Sequence, residues 1–318
     1  MTAAPASSPP LMGRLRALLR GREILLALAV VILLNAILTS NFATWRNVEI
    51  TLIQMVFVAL VATGITLVIA TGGIDLSVGA VMGLASVVAV ALMPYGIFAM
   101  AAGCLGAGLA VGLFNGALIV GFGVQPLLVT LGSLIWVRGL AQYLSGGRKE
   151  YFEDAAMQFL GIGRVWGLPL QVVITAVVVT VVALVVAHTV FGRRLVMVGG
   201  NPAAARLAGV PAGRIVLVAY AVCGLLAGLA GLFITARVGS SDPTNFGVLI
   251  ELDAIAAAVV GGTVLAGGRA RVVGTAVGAL LLQLTTAAMI MNNVGFAVAL
   301  VVKAALILWV VALQRRRV

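Results

Sequence analysis

Residues 51–93 read TLIQMVFVALVATGITLVIA, then TGGIDLS, then VGAVMGLASVVAVALM. The first run is 20 residues of mainly apolar side chains, the length an α-helix needs to cross about 30 Å of hydrocarbon. The last run is as apolar but short, and Gly79 and Gly83 interrupt it. Between them, Gly72 and Gly73 free the backbone, and Asp75 or Ser77 can cap the helix that follows. Two readings stay open. Asp75 is an N-cap near the cytoplasmic surface, or Thr71–Gly79 is a broken helix at a gate. Irregular backbone at membrane depth is tolerated only where protein or a water-filled cavity lines it.

The same pattern of apolar runs extends in both directions. Ten spans can be drawn, over about 24–38, 51–70, 77–93, 97–120, 125–144, 170–190, 215–235, 251–266, 272–291 and 295–313. Hydrophobic residues make up 63% of the chain and charged ones 9%, where a soluble protein carries about a quarter charged. This composition excludes disorder, a disulfide scaffold and an ordinary soluble enzyme, and continuous runs exclude the alternation of an outer-membrane barrel. The sequence therefore specifies an all-α polytopic membrane protein of about ten transmembrane helices, some broken or short. A single transmembrane domain over 24–313 lies between basic tails at 1–23 and 314–318. Taken alone, Arg14, Arg16, Arg20 and Arg22 before the apolar 24–38 resemble a signal peptide; nine further spans make it a first transmembrane helix.

The net charge is +11, and its distribution points to a lipid bilayer rather than nucleic acid. Basic residues cluster in short segments between apolar runs, as the positive-inside rule requires. With the N-terminal arginines in the cytoplasm, the loop 191–214 falls inside with Arg193, Arg194, Arg206 and Arg214, as do 267–271 and Arg315, Arg316 and Arg317. The longest outside loop, about 145–169, balances its bases with acids. Both termini are thus expected inside. Cys104 and Cys223 fall within apolar runs and read as small buried hydrophobes. One histidine, His188, cannot build a multi-histidine metal site, and no metal is expected.

Glycines four apart recur at Gly79 and Gly83, Gly108, Gly112 and Gly116, Gly224 and Gly228, and Gly274 and Gly278. Each series lies along one helix face and admits a second backbone. Within 191–214, Gly200 and Asn201 precede a short helix: Asn201 is a good N-cap, Pro202 fits the first helical position, Ala204, Ala205 and Arg206 follow, and Gly209 with Pro211 stops it. Two turns are too short to stand alone, so this helix docks against the bundle or a partner. Glu251 and Asp253 open the eighth span from outside, where acids complement the helix dipole. Lys303 lies near the middle of the last span, where a charge must snorkel, pair or face a cavity. Asn115 and Gln125 are polar insertions on the fourth and fifth spans. Residues 262–267 begin like a phosphate loop, but Gly268 and Arg269 stand where Lys and Ser/Thr are required. No catalytic motif is present, so the chain is not expected to be an enzyme or to bind a cofactor, and any ATP must be used by another polypeptide.

Thr71–Gly79 resembles the T-G-G-I-D-L-S-V-G signature of bacterial ABC-importer permeases for ribose and related simple sugars. Gln125-Pro126 with Thr130-Leu131-Gly132 is similar to the family's P-x-x-x-T-L-G element, and Arg138-Gly139 to its R-G pair. Gly200–Gly209 resembles its cytoplasmic G-N-x-x-A-A-R-x-x-G loop, and Glu251–Ala257 with Gly261–Thr263 and Gly267-Gly268 its E-L-D-A-I-A-A…G-G-T-S-L-x-G-G block. Val302-Lys303-Ala304 matches a V-K-A near the family's C-terminus, while Val264 replaces a usual Ser and Met289–Gly295 lacks the usual glycine-leucine pattern. The resemblance runs from about Asn41 to Leu313 with its motifs in order. It implies a second permease subunit, identical or paralogous, and two cytoplasmic ATPase domains that hold ATP and Mg and contact the 200–209 loop. It also implies an extracytoplasmic sugar-binding protein and a place in the bacterial inner membrane. Thr130 joins Gly72, Gly73, Asp75, Ser77, Gly79, Asn115, Gln125 and Lys303 as a pathway candidate. The rival readings are an ion-coupled secondary transporter, with Asp75, Glu251, Asp253 and Lys303 as coupling groups, and a membrane-embedded enzyme.

Overall fold

The structure, a computed structural model, describes residues 23–295, 297, 298 and 300–305. The tails expected over 1–23 and 314–318 lie outside the described residues, apart from Glu23, which opens the first helix. Helices α1 (Glu23–Leu38), α2 (Trp45–Ala70), α3 (Val78–Ala91), α4 (Ile97–Phe122) and α5 (Pro126–Ser145) come first. A peripheral segment holds β1 (Glu150–Tyr151), α6 (Ala155–Ile162), β2 (Arg164–Val165) and β3 (Leu168–Pro169). Then follow α7 (Leu170–His188), α8 (Val190–Gly200), α9 (Pro202–Leu207), α10 (Ala212–Val238), β4 (Ser240–Ser241), α11 (Ile250–Val260) and α12 (Val272–Met291). Residues 297, 298 and 300–305 are helical. The two-residue strands β1 and β4 pair antiparallel, as do β2 and β3.

Among the described residues, six helices, α2, α4, α5, α7, α10 and α12, are long and apolar enough to cross a membrane; α1 and α3 are shorter apolar helices. At about 1.5 Å per residue, the 14 residues of α3 reach only about two-thirds of the way across the hydrocarbon. The eighth expected span, 251–266, is not one helix. α11 stops at Val260, and Gly262, Gly267 and Gly268 take φ of +93°, +89° and +77°, a left-handed backbone that ends a helix. The connector expected over 191–214 is more ordered than its sequence suggests: α8 precedes the short capped helix α9.

Two units share one order. α2 and α10 have 26 and 27 residues; each is followed by a non-helical break, a short helix (α3, α11) and a membrane-length helix (α4, α12). Each long helix packs on the short and the following helix of the other unit, and α2 touches α10 between them. The glycine faces make this possible. Gly108 and Gly112 of α4 lie backbone to backbone with Gly224 and Tyr220 of α10, and Gly274 and Gly278 of α12 with Gly261, just past the end of α11, and Ala257 within it. A Cβ at any of these glycines would strike the opposing main chain. The core around them is α2 from Val58 to Ala70, with Met82, Tyr220 and Phe233. Ile37, Leu128, Ile135 and Val177 remain exposed on outer helices, as lipid-facing side chains do.

Candidate functional site

The break between α2 and α3 is built by its glycines. Thr71 ends α2, its hydroxyl donating to the Val68 carbonyl at 2.7 Å, and Gly72 turns the chain at φ +84°. Gly73 passes so close to the Tyr220 hydroxyl that a Cβ has no room. The chain then runs outside any helix as far as Ser77. The Ile74 carbonyl accepts from Thr130 at 3.2 Å and from Tyr220 at 3.3 Å, so α5 and α10 hold the break from two sides.

Asp75 and Ser77 do not cap α3 as their sequence suggests. Ser77 is the N-cap residue but makes no side-chain bond to the first turn. Asp75 Oδ1 instead accepts from the Ser77 N–H at 2.9 Å and from the Ser77 hydroxyl at 2.6 Å. Ser77 Oγ accepts from Asn115 Nδ2 at 2.9 Å, Asn115 Oδ1 from Ser133 at 2.5 Å, and Ser133 Oγ from Trp136 Nε1 at 3.1 Å. Every donor in this series points toward Asp75, and such chains polarise one another in a low dielectric. Asp75, Ser77, Asn115, Thr130 and Ser133 are all essentially inaccessible to solvent. Asp75 has no cationic partner among the described residues; Cys223 and Tyr220 are its neighbours on α10, and Oδ2 meets no nitrogen or oxygen donor.

The second break, 239–249, enters the bundle from the opposite end. Gly79 and Gly247 meet backbone to backbone, and Gly83 lies against Pro243. Arg138 of α5 donates from one guanidinium nitrogen to the Pro243 carbonyl at 2.8 Å and the Phe246 carbonyl at 2.7 Å, which pins this loop. Glu251 lies beside Gly79 and faces Arg138 electrostatically. Asp253 turns elsewhere: both its oxygens accept from Lys303 at 3.0 Å. The two acids thus serve different partners, and Lys303 meets its charge requirement by pairing.

At the far end, α9 is capped by Asn201, whose Oδ1 accepts from the Ala204 N–H at 2.9 Å, and Gly209 turns the chain out at φ +73°. Ala205 is its one buried residue; Arg206 and Leu207 are exposed. Gly199 and Gly200 pack on Gly267 and Gly268, the Gly268 N–H donates to the Ala70 carbonyl at 3.0 Å, and Gly267 approaches the Gly72 nitrogen. The short helix is therefore joined through backbone contacts to the α2–α3 break.

Gly72, Gly73, Asp75, Ser77, Asn115 and Thr130 come together at that break, and Gly79 links it to the second one. Gln125 does not join them: it is exposed ahead of α5 and its side chain makes no capping bond. Sequence reasoning passed over Ser133, Trp136, Tyr220 and the role of Arg138. Ser133 stands three residues beyond Thr130 on one face of α5, a spacing that could have found it.

The branched-chain amino acid transport system / permease component family model matches residues 47–311. The chain is 37% identical to the ribose import permease protein of Escherichia coli, covering 95% of this chain and 96% of the relative. It is 37% identical to the galactofuranose transporter permease protein of Escherichia coli, over 82% and 77% of the two chains. Identity to the L-arabinose ABC transporter permease protein of Azospirillum brasilense is 35%, over 80% and 75%. No solved structure matches the chain. A family match spanning both breaks, the network between them and the capped α9, on a bundle of membrane-length apolar helices, identifies the chain as an integral membrane protein of the branched-chain amino acid transport system permease family.

Proposed function

We propose that this chain is the membrane subunit of an ATP-driven (ABC) importer for a simple sugar or a related small polar solute. It sits in the bacterial inner membrane with about ten spans and both termini inside, beside a second permease subunit. The ribose, galactofuranose and L-arabinose permeases it resembles favour a sugar over the amino acid in the family's description. The observation that carries the reading is the continuity from exposed α9 through Gly199–Gly200 and Gly267–Gly268 to Ala70 and Gly72. An ATPase pushing on Arg206 and Leu207 would move the α2–α3 break without an intervening flexible element. A solute released by an external binding protein would enter between the subunits, with the breaks opening and closing the path. ATP and Mg stay on the partner ATPase.

Reconstitution with the ATPase and the sugar-binding protein tests this. Arg206→Glu reverses an exposed charge on α9 and is expected to cut ATP-driven uptake and binding-protein-stimulated hydrolysis about tenfold, as loss of a charge-assisted contact does. Wild-type values in that variant, or ion-driven uptake by the permease without the ATPase, would overturn the proposal.

A further inference from the structure

A cavity of about 550 Å³ opens at the end of the bundle opposite α9, lined by Trp45, Arg46, Glu49, Ile50, Ile53, Ile162, Arg164, Pro169 and Arg237. Arg46 stands in the first turn of α2, whose other end meets Gly199, and Arg237 in the last turn of α10. Basic residues are disfavoured at the end away from the cytoplasmic loops, yet three arginines and only one carboxylate line this cavity. Glu49 pairs with Arg164 at 2.8 Å and 3.0 Å and lies within electrostatic range of Arg237. Arg46 and Arg237 form no ion pair among the described residues, so the cavity keeps an excess positive charge.

Its polarity changes with depth. Along one face of α2 the lining passes from Trp45 and Arg46 through Glu49 and Ile50 to Ile53, about 12 Å along the helix axis. The rim is cationic and carries an exposed Trp45; the deeper wall is Ile50 and Ile53, with exposed Ile162 beside it. Trp and Arg at a helix end mark the headgroup level, and an apolar wall directly beneath lies at the level of acyl chains. A soluble anion would make no use of the isoleucines, and an acidic side chain of a partner protein would reach only the rim.

We propose that this cavity is a binding site for an anionic phospholipid, its phosphodiester held by Arg46 and Arg237 and its acyl chain laid along Ile50, Ile53 and Ile162. Basic pockets between membrane helices hold anionic headgroups at the cytoplasmic side of a bilayer, and the same set of groups is gathered here at the end opposite α9. Such a lipid would tie the start of α2 to the end of α10, the two long helices that precede the breaks. The assignment needs only that the chain spans a bilayer, and stands whichever solute is carried.

The test uses the purified full-length chain in neutral detergent, titrated with phosphatidylglycerol, phosphatidylcholine or soluble glycerol 3-phosphate while its melting temperature is followed. Wild type is expected to bind phosphatidylglycerol at least tenfold more tightly than phosphatidylcholine and to ignore glycerol 3-phosphate. R46Q/R237Q should lose that preference, and R46K/R237K should keep most of it. If R46Q/R237Q does not fold, R46Q alone, at an exposed position, must weaken the preference severalfold. Equal affinity for the two lipids, an unchanged preference in R46Q, or a full response to glycerol 3-phosphate would overturn the proposal. So would variants that keep the lipid preference wild-type while losing stimulation by the external binding protein, since that result assigns the arginines to a protein partner.

Discussion

The Asn115 amide donates to the Ser77 hydroxyl at 2.9 Å, so the middle of α4 holds the residue from which α3 begins. Because Ser77 spends its own proton on Asp75, truncating Ser77, Asn115 or Ser133 leaves a neighbour without its partner. A buried polar group left unpaired costs about 1–3 kcal/mol.

Asn115→Ala removes two bonds at once, leaving the Ser133 hydroxyl without its acceptor and Ser77 Oγ without its donor. We expect a clearly lower melting temperature and reduced uptake. Ser133→Ala also breaks two links, but one is to the exposed Trp136 and Ser77 stays satisfied, so it should cost less. Equal melting temperatures for wild type and Asn115→Ala would show that the network contributes nothing to stability.

Asp75→Asn separates anchoring from charge. An asparagine Oδ1 can still accept from the Ser77 N–H and hydroxyl, so expression and assembly should survive. The change falls on the second oxygen, buried and without a nitrogen or oxygen donor in this conformation. If moving the break requires an acceptor there, an NH₂ group cannot replace it, and uptake should fall at least tenfold with altered ATPase stimulation. Uptake within about twofold of wild type in a protein of unchanged stability would leave Asp75 as a local anchor only.

Much of this was legible in the sequence, because continuous apolar runs, paired glycines and a capped helix each leave a local signature. Gly72, Gly73, Asn201 and Gly209 do what their spacing suggests. What escaped is non-local. Nothing near Tyr220 says that it donates to Ile74, 146 positions away, and nothing near Arg138 says that it pins the loop at Pro243 and Phe246. Glu251 and Asp253 read as one acidic pair because sequence cannot show that neighbours on a helix turn to different partners. The length of α11 was misjudged because apolar residues continue past Val260, whereas left-handed glycines end the helix there.

Gly79→Val tests the junction of the two breaks. Its side chain would be driven into the Gly247 backbone and the Glu251 carboxylate, neither of which is the free end of a flexible chain at a surface. We expect loss of folded protein, or a protein that folds but transports nothing. Gly106→Val, on α4 where a Cβ meets open space, should be nearly silent and serves as the control. Normal uptake by Gly79→Val would mean that the close approach is dispensable.

Orientation can be read with single cysteines at Glu153 and Ala204, both exposed, in a background lacking the buried Cys104 and Cys223. In intact cells without an outer barrier, an impermeant thiol reagent should label position 153 and spare 204. The reverse pattern would place α9 outside and remove any basis for ATPase contact there.

The Lys303–Asp253 pair offers the cleanest energetic test, since it joins the start of α11 to the last described helical segment. The Lys303 and Asp253 side chains are 13% and 32% exposed, so the pair is largely withdrawn from water. Breaking a fully buried pair from one side costs about 3–5 kcal/mol, mostly from the charge left behind. Asp253→Asn should therefore lower the melting temperature by stranding the ammonium, and Lys303→Met by stranding the carboxylate, the latter less because Asp253 is the more accessible. Asp253→Asn/Lys303→Met leaves neither charge and should melt above Asp253→Asn alone, a recovery that two independent sites cannot show. Strictly additive losses in this cycle would mean that the contact contributes no coupling. If the double variant recovers stability but not uptake, the charges themselves take part in the transport cycle, beyond the bond they form in this conformation.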